Sequence, residues 1–186
     1  MLRVLRMEAQ CISYGDGLSE VGEIQRLTPS MMPAVFRLRA NAWATDGVRF
    51  PEEKNGQLTD PLDPDSEHYG YLDGDEPVAA IRISVHATNA TMTFPDELRW
   101  SPGVSPLGYV ARLAVHRNWR RLGLGHKLID ASIARLIELR VKGILAFTPI
   151  LHISQYFETI GFTIYRTAPF ALGDRIVPAS AFYRAL

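Results

Sequence analysis

The chain has 186 residues, 47% hydrophobic and 22% charged, with 20 Lys+Arg against 20 Asp+Glu and one cysteine. That is the composition of a globular chain with a core of its own, and it argues against disorder. Zero formal charge removes the global basic field of a nucleic-acid or anionic-membrane binder, and the lone Cys11 excludes an internal disulfide or a cysteine-rich zinc cage. No apolar run approaches the roughly 18–20 residues that span a bilayer. The opening MLRVLRMEAQC lacks the apolar stretch of a secretory signal. A single domain over 1–186, cytoplasmic, with no metal, nucleic acid or membrane among its partners, is the expectation.

In chain order, residues 1–18 read as irregular, and Glu20 to Leu27 as a first strand. Thr28-Pro29-Ser30 reads as a helix start, with Val35, Leu38 and Ala42 on one face of a helix that reaches about Trp43. Residues 46–66 form a long loop holding Asp60, Asp63 and Asp65; it lacks the Gly and Glu of a calcium loop and reads as a solvated segment. His68 to Leu72 and Val78 to His86, around Asp73-Gly74-Asp75-Glu76-Pro77, predict a hairpin. After an irregular 88–106, Leu107 to His116 predicts a strand. Gly125 to Arg140 predicts a helix with Leu128, Ile129, Ile133, Leu136 and Ile137 inward and Gly143 as its terminator. Ile144 to Ile150 reads as a strand buried on both faces, His152 to Ile160 as a helix stopped by Gly161. Phe162–Tyr165 and Ala181–Leu186 read as final strands.

The segment with the most chemistry joins the strand ending near His116 to the helix starting near Gly125. It reads Arg117-Asn118-Trp119-Arg120-Arg121-Leu122-Gly123-Leu124-Gly125-His126-Lys127. Two glycines where a strand feeds a helix let a ligand approach the backbone. The free N–H groups and dipole of the helix start then suit a phosphate. Leu128 stands where a dinucleotide-binding G-x-G-x-x-G needs glycine, and Gly125 is followed by His126, so the phosphate-loop pattern Gly-Lys-Ser/Thr fails too. What fits is Arg-x-x-Gly-x-Gly, from Arg120 to Gly125.

This loop, preceded by ARLAVH (111–116) and followed by an amphipathic helix, a buried strand and YFETIGF (156–162), resembles the GNAT-type N-acyltransferases over residues 107–165. The resemblance implies an α/β fold: a twisted mixed sheet of about six or seven strands, helices on both faces, and splayed central parallel strands. It implies acetyl-CoA, or another coenzyme A thioester, as donor and a small-molecule or peptide amine as acceptor, with homodimers common among relatives. Leu113, Ala114 and Val115 would bind the pantetheine through their main chain. Arg120, Arg121, Leu122, Gly123, Leu124 and Gly125 would hold the pyrophosphate. Residues 19–106 would form the acceptor-side half and 107–165 the acyl-CoA core.

The family's tyrosine acid stands four residues before the glycine of the closing Gly-Phe, where this chain has Phe157. Tyr156 is adjacent but about 100° round the helix. It is the candidate acid, and Glu97, ahead of Asp96 and His86, the candidate base. Phe36, Arg39 and Trp43, then Asp63 and Asp65, then Ala80-Ile81-Arg82-Ile83 resemble acyl-homoserine-lactone and N-acyl amino acid synthases. That likeness implies a long acyl chain from an acyl carrier protein as an alternative donor. A non-catalytic acyl-CoA sensor is the alternative that Phe157 suggests.

Overall fold

The structure, a computed structural model, describes residues 22–45, 53–172 and 174–186. The irregular stretch read at 1–18 and the first part of the 46–66 loop lie outside them. The elements in chain order are β1 (Gln25–Arg26), α1 (Met32–Thr45), β2 (Glu53–Lys54), β3 (Gln57–Leu58), β4 (Glu67–Asp73), β5 (Glu76–His86), β6 (Leu107–Val115), α2 (Leu124–Glu138), β7 (Gly143–Thr148), α3 (Leu151–Thr159), β8 (Thr163–Leu172) and β9 (Arg175–Ala185). Seven strands form one sheet in the order β1-β4-β5-β6-β7-β9-β8, and β2 with β3 makes a separate small hairpin. Of the neighbouring pairs only β6 and β7 run parallel. The α/β mixed sheet is therefore as expected. Among the described residues no helix is long and apolar enough to cross a membrane.

Strand alternation sorts the core onto two faces. Ala79, Ile81, Ile83, Val110, Ile144, Ala146 and Phe182 face α2 and α3, whose Leu128, Ile129, Ile133, Leu136, Ile153 and Phe157 close that side. Each such Leu or Ile contributes about 1.5–3 kcal/mol by leaving water. On the other face Ala80 and Ala114 meet Val35, Leu38 and Ala42 of α1. Farther along it, Leu107, Tyr109, Leu145 and Ala181 pack under Met92, Phe94 and Leu98 of the irregular 88–106 segment. The small residues Ala80 and Ala114 let α1 lie close to the sheet.

Several expectations need correction. Among the described residues the first strand covers Gln25–Arg26 alone, is exposed and pairs with β4. Ile137 is 49% exposed, on the outer side of α2. α2 ends at Glu138, and the left-handed residue after it is Arg140 (φ 57), not Gly143. Gly143 opens β7 instead, where an added Cβ would lie 2.5 Å from the Tyr183 ring. β8 and β9 run far beyond the short strands expected. Pro169 lies directly opposite Pro178, a pairing that suits only a non-hydrogen-bonded pair, since neither proline has an N–H.

Candidate functional site

The parallel pairing of β6 with β7 runs from Leu107↔Gly143 to Val110↔Ala146 and stops there, although β6 continues to Val115 and β7 to Thr148. The cause is local. Arg112 has φ 57, and against β5 the register passes from Ala111↔Arg82 to Ala114↔Ala80, so Arg112 and Leu113 stand opposite Ile81 alone. This is a β-bulge, which bends its strand and increases the twist. Among the described residues the main chain of β6 beyond Val110 has no strand partner on the β7 side, and the sheet opens.

The loop from His116 to Gly125 sits at that opening. Trp119 and Leu124 are buried and Leu122 packs against the same core, so the apolar side chains point inward. Arg121 (φ 64) and Gly123 (φ 76) both take left-handed conformations, which turn the backbone of this tight loop. Gly123 caps α2 without a side-chain hydrogen bond, and the first turn holds no acidic residue. Its first helical bond runs from the Lys127 N–H to the Gly123 carbonyl. The N–H groups of Leu124, Gly125 and His126 precede it and have no partner within the helix. A Cβ on Gly125 would meet Leu113 Cδ2 at 3.5 Å and Val115 Cγ2 at 3.8 Å, ordinary contacts. Neither backbone strain nor protein packing thus demands glycine there. A side chain at this position would instead crowd the open first turn, which fits a bound pyrophosphate. Leu113 and Val115 on the opened strand and Gly125 on the helix are therefore brought together. Arg120 turns inward: its Nε donates to the Val115 carbonyl at 3.2 Å and its Nη2 to the Ala42 carbonyl at 2.8 Å, tying the loop to β6 and α1. Arg121 remains exposed.

The two catalytic candidates are placed differently. The Tyr156 hydroxyl donates to the Asp130 carboxylate, 2.7 Å from each oxygen, and its ring stacks on His126 at 3.8 Å. Burial and then the Asp130 carboxylate raise its pKa above the usual phenol value. Tyr156 thus clamps α3 to the first turns of α2, with its proton aimed at Asp130. Phe157 points into the core against Phe162 and Phe182. Glu97 is exposed in a turn packed on β8, where its carbonyl accepts from Arg166 Nη1 at 3.2 Å. Among the described residues no hydrogen bond or ion pair joins the Glu97 carboxylate to the bulge. His86 pairs with Leu107 at the far end of β6 and is held by Ser84 and Thr91, each at 2.7 Å.

Arg39, Asp63 and Arg82, which the sequence marks only as part of a family likeness, meet in a charged cluster beneath the bulge, and it overturns the solvated view of the aspartate loop. Asp60 and Asp63 are buried, as are Arg39 (1% exposed) and Arg82 (0%). Arg39 Nη1 donates to both Asp63 oxygens at 2.9 Å. Arg82 Nη1 lies 2.6 Å from Asp60 Oδ1, a charge contact off the hydrogen-bonding line. Arg112 donates from Nε to Asp60 Oδ2 at 2.8 Å and from Nη2 to the same oxygen. His68 Nδ1 accepts from Arg39 Nη2 at 3.2 Å, because a guanidinium only donates; the ring is therefore neutral, and burial lowers its pKa further from protonation. Burial alone would raise the Asp60 carboxyl, but Arg112 and Arg82 outweigh it and hold it at about 2. Burial draws Arg39 down to about 10 against the pull of Asp63, so it stays charged at neutral pH. The spacing Asp60-x-x-Asp63 with a lone arginine inside the apolar strand AAIRISV was the signal available, since a buried strand admits an arginine only with partners.

The model of the acetyltransferase (GNAT) family matches residues 32–157. No curated protein matches. Among solved structures the chain is similar to FeeM, an N-acyl amino acid synthase from uncultured soil microbes (TM-score 0.64, 16% identity, 88% of this chain and 90% of that one). It is similar also to Arabidopsis thaliana NAA60 in complex with acetyl-CoA (TM-score 0.62, 15% identity, 88% and 97%). A third is Escherichia coli ElaA (TM-score 0.59, 18% identity, 88% and 99%). At these identities the likeness is one of fold.

Proposed function

Because the chain belongs to the GNAT acetyltransferase family, we propose that it moves an acyl group, acetyl in the first instance, from a coenzyme A thioester to a primary amine. The observation that supports this reading is the coincidence of the opened β6 edge with the uncapped start of α2, joined through Leu113, Val115 and Gly125. Main-chain N–H groups of Arg121 to Gly125, with the helix dipole behind them, hold the pyrophosphate, and Arg120 braces the loop from behind. Leu113, Ala114 and Val115 offer the pantetheine amides the main-chain bonds that a neighbouring strand would otherwise take. Bound there, the thioester supplies an electrophilic carbonyl.

Main-chain N–H groups at the bulge stabilise the charge that develops on its oxygen. The amine attacks, the C–N bond forms, the C–S bond breaks, and the amine's surplus proton leaves to solvent. A thiol pKa of about 8.5 makes the thiolate a tolerable leaving group without an acid. Tyr156 enters this scheme as a clamp between helices, and Glu97 has no assigned step. The donor occupies the α2 face of the sheet and the acceptor arrives from the α1 face.

The test is thiol release, with mass spectrometry of the acylated product, from acetyl-CoA, a long-chain acyl-CoA and long-chain acyl carrier protein against an amine panel. Release from acetyl-CoA is expected. A strong preference for the carrier protein would reassign the donor. Tight CoA binding without release would make the protein a sensor, and absence of CoA binding would overturn the reading altogether.

A further inference from the structure

Among the described residues four other than glycine take a left-handed φ: Asn55, Arg112, Arg121 and Arg140. Asn55 sits in the turn between β2 and β3, Arg121 in the loop before α2 and Arg140 just after α2; Arg112 alone lies inside a strand. A residue with a Cβ crowds its own carbonyl in this conformation and persists there only where its surroundings hold it. Here they do. Arg112 donates from Nε to Asp60 Oδ2 at 2.8 Å and from Nη2 to the same oxygen. Asp60, with its side chain 0% exposed, is itself fixed. Its Oδ1 accepts from the Leu62 N–H at 2.9 Å and lies 2.6 Å from Arg82 Nη1, and its Oδ2 accepts from the Thr93 hydroxyl at 3.3 Å. The Asp60 N–H donates to Asp63 at 2.7 Å, and Asp63 is gripped by Arg39 of α1. Anchored to α1, to β5 and to its own loop, Asp60 offers Arg112 one fixed acceptor.

The bulge also resets which way the strand faces. Before it, Tyr109 and Ala111 pack on the α1 side of the sheet and Val110 on the α2 side. Arg112 reaches Asp60 on the α1 side too, directly after Ala111. Beyond it, Leu113 and Val115 pack on the α2 side and Ala114 on the α1 side. Unbroken alternation from Tyr109 would give the reverse, with Leu113 and Val115 towards α1 and Ala114 towards α2. The extra residue is therefore what turns Leu113 and Val115 to the side where they meet Gly125 at the start of α2. It stands, too, where the pairing of β6 with β7 stops.

We propose that Asp60 is a positioning residue for the coenzyme A donor: by clamping Arg112 it holds the bulge, and through the bulge both the opened edge of β6 and the facing of residues 113–115. The inference rests on the acyltransferase reading and deepens it. It makes the donor site depend on a carboxylate 52 residues away from the strand it controls, acting through Arg112 and not on the ligand.

The test measures CoA affinity by calorimetry and stability by urea denaturation in the full chain. Glycine takes a left-handed φ without a clamp, so Arg112→Gly should keep the bulge and bind CoA within about three-fold of the unaltered protein. Arg112→Ala, with a Cβ and no clamp, should bind roughly five- to thirty-fold more weakly than Arg112→Gly, the left-handed penalty expressed as an equilibrium constant. Asp60→Asn should weaken binding by a similar factor in the native background and have no effect on it in the Arg112→Gly background, a coupling that a general loss of stability would not produce. If Asp60→Asn does not fold, the alanine–glycine comparison decides alone. Equal affinity in Arg112→Gly and Arg112→Ala, whether both bind normally or both fail, overturns the inference, and so does normal affinity in a folded Asp60→Asn. Loss of CoA binding in the unaltered protein overturns the acyltransferase reading and this inference with it.

Discussion

On the α2 side of the sheet, residues 119–125 send Trp119, Leu122 and Leu124 inward and leave main-chain N–H groups outward. On the α1 side, residues 60–63 do the reverse: aspartates go inward to meet buried arginines. The first arrangement makes an anion site from backbone, at little cost in desolvated charge. The second concentrates charge in the interior and relies on partners drawn from α1, β5 and β6. A backbone site tolerates most side-chain changes but not a change of conformation, whereas a buried ion cluster fails when any one member is removed.

Four measurements would break or sharpen that contrast. The largest effect is expected from Asp60→Ala, which strands Arg82 and Arg112. Urea denaturation should show a loss of about 3–5 kcal/mol, as for other broken buried pairs. A loss under about 1 kcal/mol would mean the cluster is solvated after all. Next, Gly123→Val forces a β-branched residue to φ 76. It should cost about 1–3 kcal/mol of stability and abolish CoA binding in calorimetry; intact binding would remove the loop from the donor site.

Phe157→Tyr puts a hydroxyl among Phe162 and Phe182. It should lower stability by about 1–3 kcal/mol through an unsatisfied buried group and bring no gain in turnover; a gain would show that the family's acid position can be recovered. The smallest effect is expected from Tyr156→Phe, which removes a hydrogen bond to Asp130 worth roughly 1 kcal/mol and should leave kcat within about two-fold, since the phenol is not asked for a proton. A drop of a hundred-fold would restore Tyr156 as the acid.

Acid should act in two stages. His68 and His86 have pKa values lowered in the folded state, burial being the main cause in each and Arg82 adding to it. The unfolded chain therefore binds more protons than the folded one below the ordinary value of 6.5, and stability falls as the pH drops through it. Asp60, at about 2 when folded and 3.8 when free, keeps its contribution above the latter value and loses it as pH falls towards the former. Unfolding free energies from pH 8 to pH 3 should show both declines, and His68→Gln should flatten the upper one.

The amino-acid order by itself determined the parts whose information is local. The helical spacing of Leu128, Ile129, Ile133 and Leu136 marks the inner face of α2, and the hairpin of β4 and β5 is written in its turn. Arg-x-x-Gly-x-Gly between a strand and a helix marks the loop, because glycine conformation and helix-end N–H groups depend on a few consecutive residues. Only the tertiary structure decided that Asp60 and Asp63 are interior, that Arg112 forms a bulge opposite Ile81, and that Tyr156 is taken by Asp130 while Glu97 sits over β8. Each of these depends on partners 24 to 69 residues apart: Arg39 with Asp63 (separation 24), Arg112 with Asp60 (52), Tyr156 with Asp130 (26) and Arg166 with Glu97 (69). A charge reads as solvated in sequence until the fold supplies its counter-charge; without one, burial would be too costly to occur.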